Sequence, residues 1–303
     1  EVSAKKGGQT LTAQLVQAAG FDLAGQPLMP LPLLSTDLSG LAPVYGMRVA
    51  GILSGAQLPG GFTINLMDQV FVWDDGEAVP RDPYAVALRL ADGSLVLNAV
   101  VNGRHVRACV LDTSFAGVIE IPEKAAEEMV LFTKDTPQLT LTSGGGKTAG
   151  ENWRQIRLAT LQVGVIEMRQ PVADIVKRDG RPRLGIGYFK HFETTFNLQA
   201  GYLRLRPNGP LPVIAGPIEG YGISPAELED GYWSVDVARN SPAAKGGLRP
   251  GDRLISIDGK PAEFLSYEEI VERLEATAGT ARDFAFDRKG KRTKVTLKAD
   301  KLL

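Results

Sequence analysis

The residues best placed to do chemistry in this 303-residue chain are Asp112-Thr113-Ser114. They follow an alternating run at 104–111 and precede the small pair Ala116-Gly117 and the apolar pair Val118-Ile119. A carboxylate on a tight turn at the end of a buried strand, beside small residues, leaves room for another segment to approach. Such a carboxylate can activate water if a second one stands within hydrogen-bond reach. Like charges that close cannot both ionise, so the pair shares one proton. One member then acts as base on a bound water while the other donates to the carbonyl oxygen. The plainer alternative is an aspartate that caps its own turn by accepting backbone N–H groups.

The elements around Asp112 are legible from turn chemistry and periodicity. Residues 95–101 and 104–111 read as strands joined by Asn102-Gly103, a pair that tolerates the positive φ of a type I′ hairpin turn. After the aspartate, Pro122 followed by Glu123-Lys124-Ala125-Ala126 predicts a helix start. Cys109, in the strand leading to Asp112, reads as a small core residue. Much later comes Leu184-Gly185-Ile186-Gly187-Tyr188-Phe189, then a β-hairpin pattern from 192 to 205.

In this order and spacing, Val110-Leu111-Asp112-Thr113-Ser114 with the later Leu184-Gly185-Ile186-Gly187 segment resembles the retropepsin-like aspartic proteases over roughly residues 1–207. The resemblance implies that Asp112 is catalytic and that Thr113 hydrogen-bonds across an interface between two lobes. It also implies that the Thr-, Ser- and Gly-rich stretch at 136–153 is a flap over the substrate, and that the chemistry uses no metal or cofactor. Ser114 departs from the family pattern, which usually has Gly at that position.

Internal repetition bears on where a second aspartate would lie. Gly7-Gly8-Gln9-Thr10 aligns with Gly145-Gly146-Lys147-Thr148, and Gly51-Ile52-Leu53 with Gly185-Ile186-Gly187. Ile64-Asn65-Leu66 aligns with Phe196-Asn197-Leu198, each followed by a closing β run. The first copy begins part-way through the unit, so the counterpart of Asp112 is expected about 26 positions before Glu1. Neither Asp22 nor Asp37 follows an apolar strand and precedes Thr/Ser-Gly. The chain opens Glu1-Val2-Ser3, with no initiator Met, and is expected to be a processed or truncated product. Three options stay open: upstream sequence supplies the partner, a second copy of the chain supplies Asp112 again as a homodimer, or there is no partner.

Four prolines and two glycines between 207 and 217 mark a domain boundary, and a weaker break falls at 74–83. Beyond the first, Asn240-Ser241-Pro242-Ala243-Ala244-Lys245-Gly246-Gly247-Leu248-Arg249-Pro250-Gly251-Asp252 reads as a short helix and a turn, leading into a strand that ends at Asp258-Gly259. Ser266 with Glu269 makes a capping box for a helix at 267–274. This segment resembles the PDZ family over about 214–302. That resemblance makes Gly220-Tyr221-Gly222-Ile223 the loop whose N–H groups bind a peptide's terminal carboxylate, with Tyr267 and Val271 facing its side chains. The alternative is a tight loop that binds nothing, or only its own chain.

Composition bounds the rest. Lys plus Arg (34) against Asp plus Glu (35) leaves a formal net charge of −1, which argues against nucleic acid as partner. The basic run Arg288-Lys289-Gly290-Lys291-Arg292 reads as a solvated hairpin tip. One cysteine excludes an internal disulfide framework, and two histidines leave little for a His-based metal centre. No apolar run approaches the roughly 20 residues of a membrane span. The expected fold is mainly β: two retropepsin-like acid-protease β-barrel lobes followed by an α+β PDZ domain. The boundaries are 1–78 for an incomplete first lobe, 79–207 for the second and 208–303 for the PDZ domain. The two resemblances imply an aspartic endopeptidase-like protein, bacterial and periplasmic or secreted, that hydrolyses peptide bonds through an Asp-activated water while its PDZ domain binds polypeptide C-termini or substrate. The rival is a catalytically inactive protease-like scaffold that works through its PDZ groove.

Overall fold

The computed structural model describes residues 2–6, 9–17, 20–23, 25–28, 32–35, 58, 60–74, 82–142, 152–227 and 232–303. Gly7-Gly8, segment 50–55, Asp37 and Ser143-Gly144-Gly145-Gly146 lie outside them. The described chain is mainly β. Near the start, β1 (Val2–Lys6), β2 (Gln9–Gln17) and β5 (Pro32–Ser35) form one sheet, and β3 (Phe21–Leu23) pairs with β4 (Gln26–Leu28). Asp22, within β3, accepts from the Gly25 N–H at 2.9 Å and so closes the turn between β3 and β4.

A five-stranded sheet follows, in the order β7-β6-β19-β20-β8, from β6 (Gly61–Asn65), β7 (Val70–Asp74), β8 (Ala85–Ala87), β19 (Phe192–Asn197) and β20 (Tyr202–Pro207). Its registers repeat. Gly61 pairs with Asp74 in β6–β7, and Glu193 with Arg206 in β19–β20, each partner 132 positions beyond its counterpart. At the centre, β6 meets β19 antiparallel with Thr63 opposite Thr195, their hydroxyl oxygens 2.8 Å apart. Phe62 stacks on Phe196 beside them, ring centroids 4.7 Å apart. The offset equals that of the Ile64-Asn65-Leu66 and Phe196-Asn197-Leu198 alignment.

Between these hairpins lies a curled sheet of β9 (Arg89–Ala91), β10 (Ser94–Val101), β11 (Arg104–Leu111), β12 (Ile119–Pro122), β13 (Gln138–Thr142), β14 (Asn152–Arg157), β15 (Thr160–Val163), β16 (Ile166–Arg169), β17 (Val172–Val176) and β18 (Arg183–Leu184). Helix α1 (Glu123–Glu128) follows β12, where Pro122 stands at its N-cap. The short α2 (Ile186–Phe189) follows β18. Asn102 and Gly103 take φ of 48° and 77°, the pair of positive values that a type I′ turn requires. Period-two alternation supplies the core: Ile156, Ala173, Ile119 and Leu184 occupy one register row across β14, β17, β12 and β18, all fully buried. Cys109 is fully buried in the same core, and burial pushes its thiol up to about 12.

The proline-rich boundary is less loop-like than its composition suggests. Within it, β21 (Val213–Ile214) pairs in parallel with β16 and lies along the preceding unit. The C-terminal α+β unit contains β22 (Glu219–Gly220), β23 (Ile223–Glu227), β24 (Trp233–Ala238), α3 (Pro242–Lys245), β25 (Arg253–Ile257), β26 (Lys260–Pro261), α4 (Tyr267–Leu274), β27 (Ala281–Arg288), β28 (Lys291–Lys298) and β29 (Asp300–Lys301). Ser241 caps α3 through the Ala244 N–H, and the Ser266/Glu269 capping box forms at α4. Tyr221, Trp233, Val235, Leu254 and Phe284 are among the residues of its separate core. Lys289 and Gly290 form the tip of the β27–β28 hairpin at positive φ.

One contact between the units was not legible in the sequence. Strand β13 adds to β24, with Leu141 opposite Ala238 and Thr142 opposite Val237, and the Arg239 N–H donates to the Thr140 carbonyl at 2.9 Å. Leu139 and Ala238 form a small buried cluster at this seam, with Trp153, Ile218, Leu302 and Leu303 packed on it.

Candidate aspartate site and peptide groove

Asp112 leaves β11 on a turn closed by the Phe115 N–H, which donates to the Asp112 carbonyl at 3.1 Å. Strand β18 lies between β11 and β12, parallel to the first and antiparallel to the second. The Asp112 N–H donates to the Leu184 carbonyl at 2.9 Å, which fixes the start of the loop. Gly185-Ile186-Gly187 then crosses over segment 115–118. Gly185 donates to Val118 (3.1 Å), Ile186 to Phe115 (2.8 Å), and Gly187 to both Ala116 and Gly117 (3.1 Å each). A Cβ at Gly185 would lie 2.3 Å from the carbonyl oxygens of both Phe115 and Gly117, so only glycine fits this crossing. The glycine segment therefore closes over the aspartate loop.

Both carboxylate oxygens of Asp112 are occupied. Oδ1 accepts from the Ser114 N–H at 3.0 Å and the Ser114 hydroxyl at 2.5 Å, and Oδ2 accepts from Arg183 Nη1 at 2.6 Å. Burial by itself would raise this carboxyl, but the bonds from Ser114 and Arg183 and the guanidinium charge hold it below the ordinary carboxylate range. Ser114 does what a glycine there could not, donating a hydroxyl to the carboxylate. Thr113 stands exposed at the turn. Among the described residues no second carboxylate hydrogen-bonds Asp112.

Arg183 also binds Glu120, through Nε at 2.9 Å and Nη2 at 2.7 Å. Arg178 bonds the same Glu120 oxygen, through Nε at 2.6 Å and through Nη2. Glu120 lies opposite Asp174 in β17, and Asp174 lies opposite Gln155 in β14, whose Nε2 donates to Asp174 Oδ1 at 2.7 Å. Gln155 in turn lies opposite Leu139 in β13. A single register row thus runs Leu139, Gln155, Asp174, Glu120, Arg183 and then through Arg183 to Asp112. Burial pushes the Asp174 carboxyl up to about 6; the Gln155 N–H opposes this and the Glu120 charge adds to it. Its Oδ2 lies 2.8 Å from where a Cβ of Gly117 would stand, so Asp174 packs against the aspartate loop itself. None of Glu120, Asp174, Arg183 or Gln155 was singled out from sequence. The available signal was the single carboxylate between apolar neighbours in Ile119-Glu120-Ile121 and Ala173-Asp174-Ile175.

The second site lies in the C-terminal unit. Gly220 and Gly222 have φ of 144° and 75°, conformations that suit glycine, and flank Tyr221. The Tyr221 ring is buried and meets Phe284 edge-on with centroids 5.1 Å apart, so Tyr221 offers the groove its backbone. No hydrogen bond among the described residues uses the N–H of Tyr221 or Gly222. A cavity of about 260 Å³ runs between β23 and α4, lined by Gly220, Tyr221, Gly222, Ile223 and Val271 among others. Tyr267 opens α4, but its side chain lies outside the described residues. The described pairing of β23 is with β24 alone. Because the Ala238 N–H bonds to the Gly222 carbonyl, antiparallel alternation points the polar groups of Ile223 and Pro225 away from β24, along the free edge. Pro225 has no N–H to offer there.

The PDZ domain family model matches residues 233–288. The C-terminal part of this chain is a PDZ domain. Over 69 residues it is 41% identical to the Na(+)/H(+) exchange regulatory cofactor NHE-RF1 of Gallus gallus, covering 22% of this chain and 20% of that protein. The chain therefore spans about a fifth of that relative's length. Among solved structures, the PDZ domain of the carboxy-terminal protease from Vibrio cholerae, in complex with peptide, is 21% identical with a TM-score of 0.26. That overlap covers 29% of this chain and 99% of the other. A retropepsin-like aspartic protease from Rickettsia conorii is 20% identical with a TM-score of 0.30, covering 40% of this chain and 86% of that one.

Proposed function

We propose that this chain is an aspartic-type peptidase of retropepsin-like build, with lobes at 1–78 and 79–207 and a PDZ domain at 208–303 that receives polypeptide C-termini. The observation that carries the reading is the Asp112 turn after β11, locked beneath Leu184-Gly185-Ile186-Gly187 with β18 seated between β11 and β12. The equal registers of β6–β7 and β19–β20 around Thr63 and Thr195 support duplication of the unit. Asp112 is the ionised member of the dyad: its bonds from Ser114 and Arg183 favour the charged form, which suits a base on water. The proton-bearing partner comes from preceding chain or from a second copy. Ser114 holds the Asp112 carboxylate, Thr113 is the residue that would hydrogen-bond across the lobe interface, and the backbone of Gly220, Tyr221, Gly222 and Ile223, opposite α4 with its Tyr267 and Val271 positions, receives the peptide end. Among the described residues no helix is long and apolar enough to cross a membrane, and the resemblance favours a periplasmic or secreted location.

One observation favours the scaffold reading. Arg183 occupies the Asp112 oxygen that a shared proton or a water would need. Full-length protein incubated with reduced, unfolded casein in acidic buffer separates the two. The peptidase reading expects cleavage that Asp112→Asn abolishes. Equal cleavage by the variant overturns Asp112, and peptide binding by a wild type that cleaves nothing establishes the scaffold.

A further inference from the structure

The groove of the PDZ domain has a wall that the domain does not supply. Its lining includes Leu139 from β13 and Gln155 from β14, beside Gly222 and Ile223 of the loop and Val271 and Leu274 of α4. The hairpin that carries them is held in place, since β13 extends the β24 edge at Leu141 and Thr142 and Leu139 packs on Ala238. Ala238 donates to Gly222, so Leu139 sits at the loop end of the groove, where a terminal carboxylate would be bound.

The free edge of β23 makes this wall matter. A peptide added as a strand gains main-chain hydrogen bonds from every second residue of the edge it joins. Here the edge offers Ile223, then Pro225, which cannot donate. Strand addition beyond the last residues of a peptide is therefore curtailed, and recognition concentrates at its carboxyl end. Gln155 stands there with an amide nitrogen that carries two N–H groups, one of which is given to Asp174.

We propose that Leu139 and Gln155 contact the bound peptide: Leu139 packs on its last side chain, and the second N–H of Gln155 donates to its terminal carboxylate. The inference rests on the PDZ groove receiving C-termini. It adds that recognition there requires the hairpin of the preceding unit, so that the peptide touches the first members of the row ending at Asp112.

The test uses the full chain and an N-terminally labelled decapeptide ending in photo-leucine with a free carboxylate, alongside its amidated twin. Irradiation followed by peptide mapping should place crosslinks in segment 138–157 as well as in 220–225. Gln155→Ala and Leu139→Ala should each weaken binding about tenfold, as expected for losing a bond to a charged group or a buried side-chain contact. The amidated peptide should lose most of its affinity and be nearly indifferent to Gln155→Ala. Crosslinks confined to the PDZ domain, with wild-type affinity in both variants, overturn the inference and leave the PDZ reading intact. Absence of binding by the free-carboxylate peptide overturns both. Should Leu139→Ala loosen the seam, the crosslinking map on wild-type protein still decides the question.

Discussion

Gly185 is the position at which the aspartate loop is most exposed to a single methyl group. Its φ of −104° is open to any residue, so alanine there meets no backbone penalty, only a lack of space. The new Cβ would lie 2.3 Å from two carbonyl oxygens and 2.5 Å from the Phe115 ring, where about 3.4 Å is an ordinary contact. The two oxygens are backbone, so relief requires the crossing to open by about 1 Å. That opening lengthens without breaking the four bonds from Gly185, Ile186 and Gly187 to segment 115–118, and losing about half of the roughly 1 kcal/mol that each contributes costs about 2 kcal/mol. Overpacking adds about 1–3 kcal/mol. Gly185→Ala should therefore destabilise by about 3–5 kcal/mol. With an m-value near 3 kcal/mol/M for urea, the midpoint falls by about 1 M or more. Gly103→Ala is the control: φ is +77° with nothing within 4 Å of the new methyl, so about 1 kcal/mol of left-handed strain is the whole effect. Urea unfolding followed by circular dichroism checks the difference. If the two variants agree within 1 kcal/mol, the glycine segment does not clamp the loop, and the placement of Asp112 loses its main support.

Two further outcomes follow from the polar row. Asp174 has a folded-state pKa of about 6, above its ordinary 3.8, so between these values the native state holds a proton that the unfolded chain has released. Stability should fall as pH rises through that window, and Asp174→Asn should flatten the slope and stabilise the protein above pH 6 by about 2–3 kcal/mol. Denaturant midpoints from pH 4 to 7 read this out, and an unchanged slope in the variant contradicts it. Glu120→Ala removes the acceptor shared by Arg178 and Arg183, both about one-third exposed. Water reaches those guanidinium groups, so the cost should be about 2–3 kcal/mol, below that of a fully buried pair. Because a like charge is lost, the Asp174 titration should also move down, measurable by carboxyl-carbon NMR.

What was legible in the sequence was local. Asn102-Gly103 announced its hairpin because both residues reach positive φ without cost, and Ser266 with Glu269 announced α4 because both ends of the capping box lie within one turn. The aspartate motif and the later glycine segment could be matched in order because each is a short string with its own steric requirement. The offset linking Ile64 and Phe196 proved to be the offset of the strand registers as well.

What the tertiary structure decided was long-range register. Alternation in Ile119-Glu120-Ile121 says that Glu120 faces away from the core, but not that Arg183 and Asp174 face it from neighbouring strands. Those partners lie 63 and 54 positions away, and only the order of strands across the sheet brings them together. The same holds for the stretch at 136–153. The resemblance implied a flap over the substrate there; of its described strands, β13 pairs with β24 of the PDZ domain and β14 pairs with β13 and β17. A strand edge pairs with whatever backbone is presented to it, and backbone hydrogen bonds carry no side-chain signature, so the sequence alone determined each piece while the joining of PDZ groove and aspartate loop through one row of side chains was fixed by the fold.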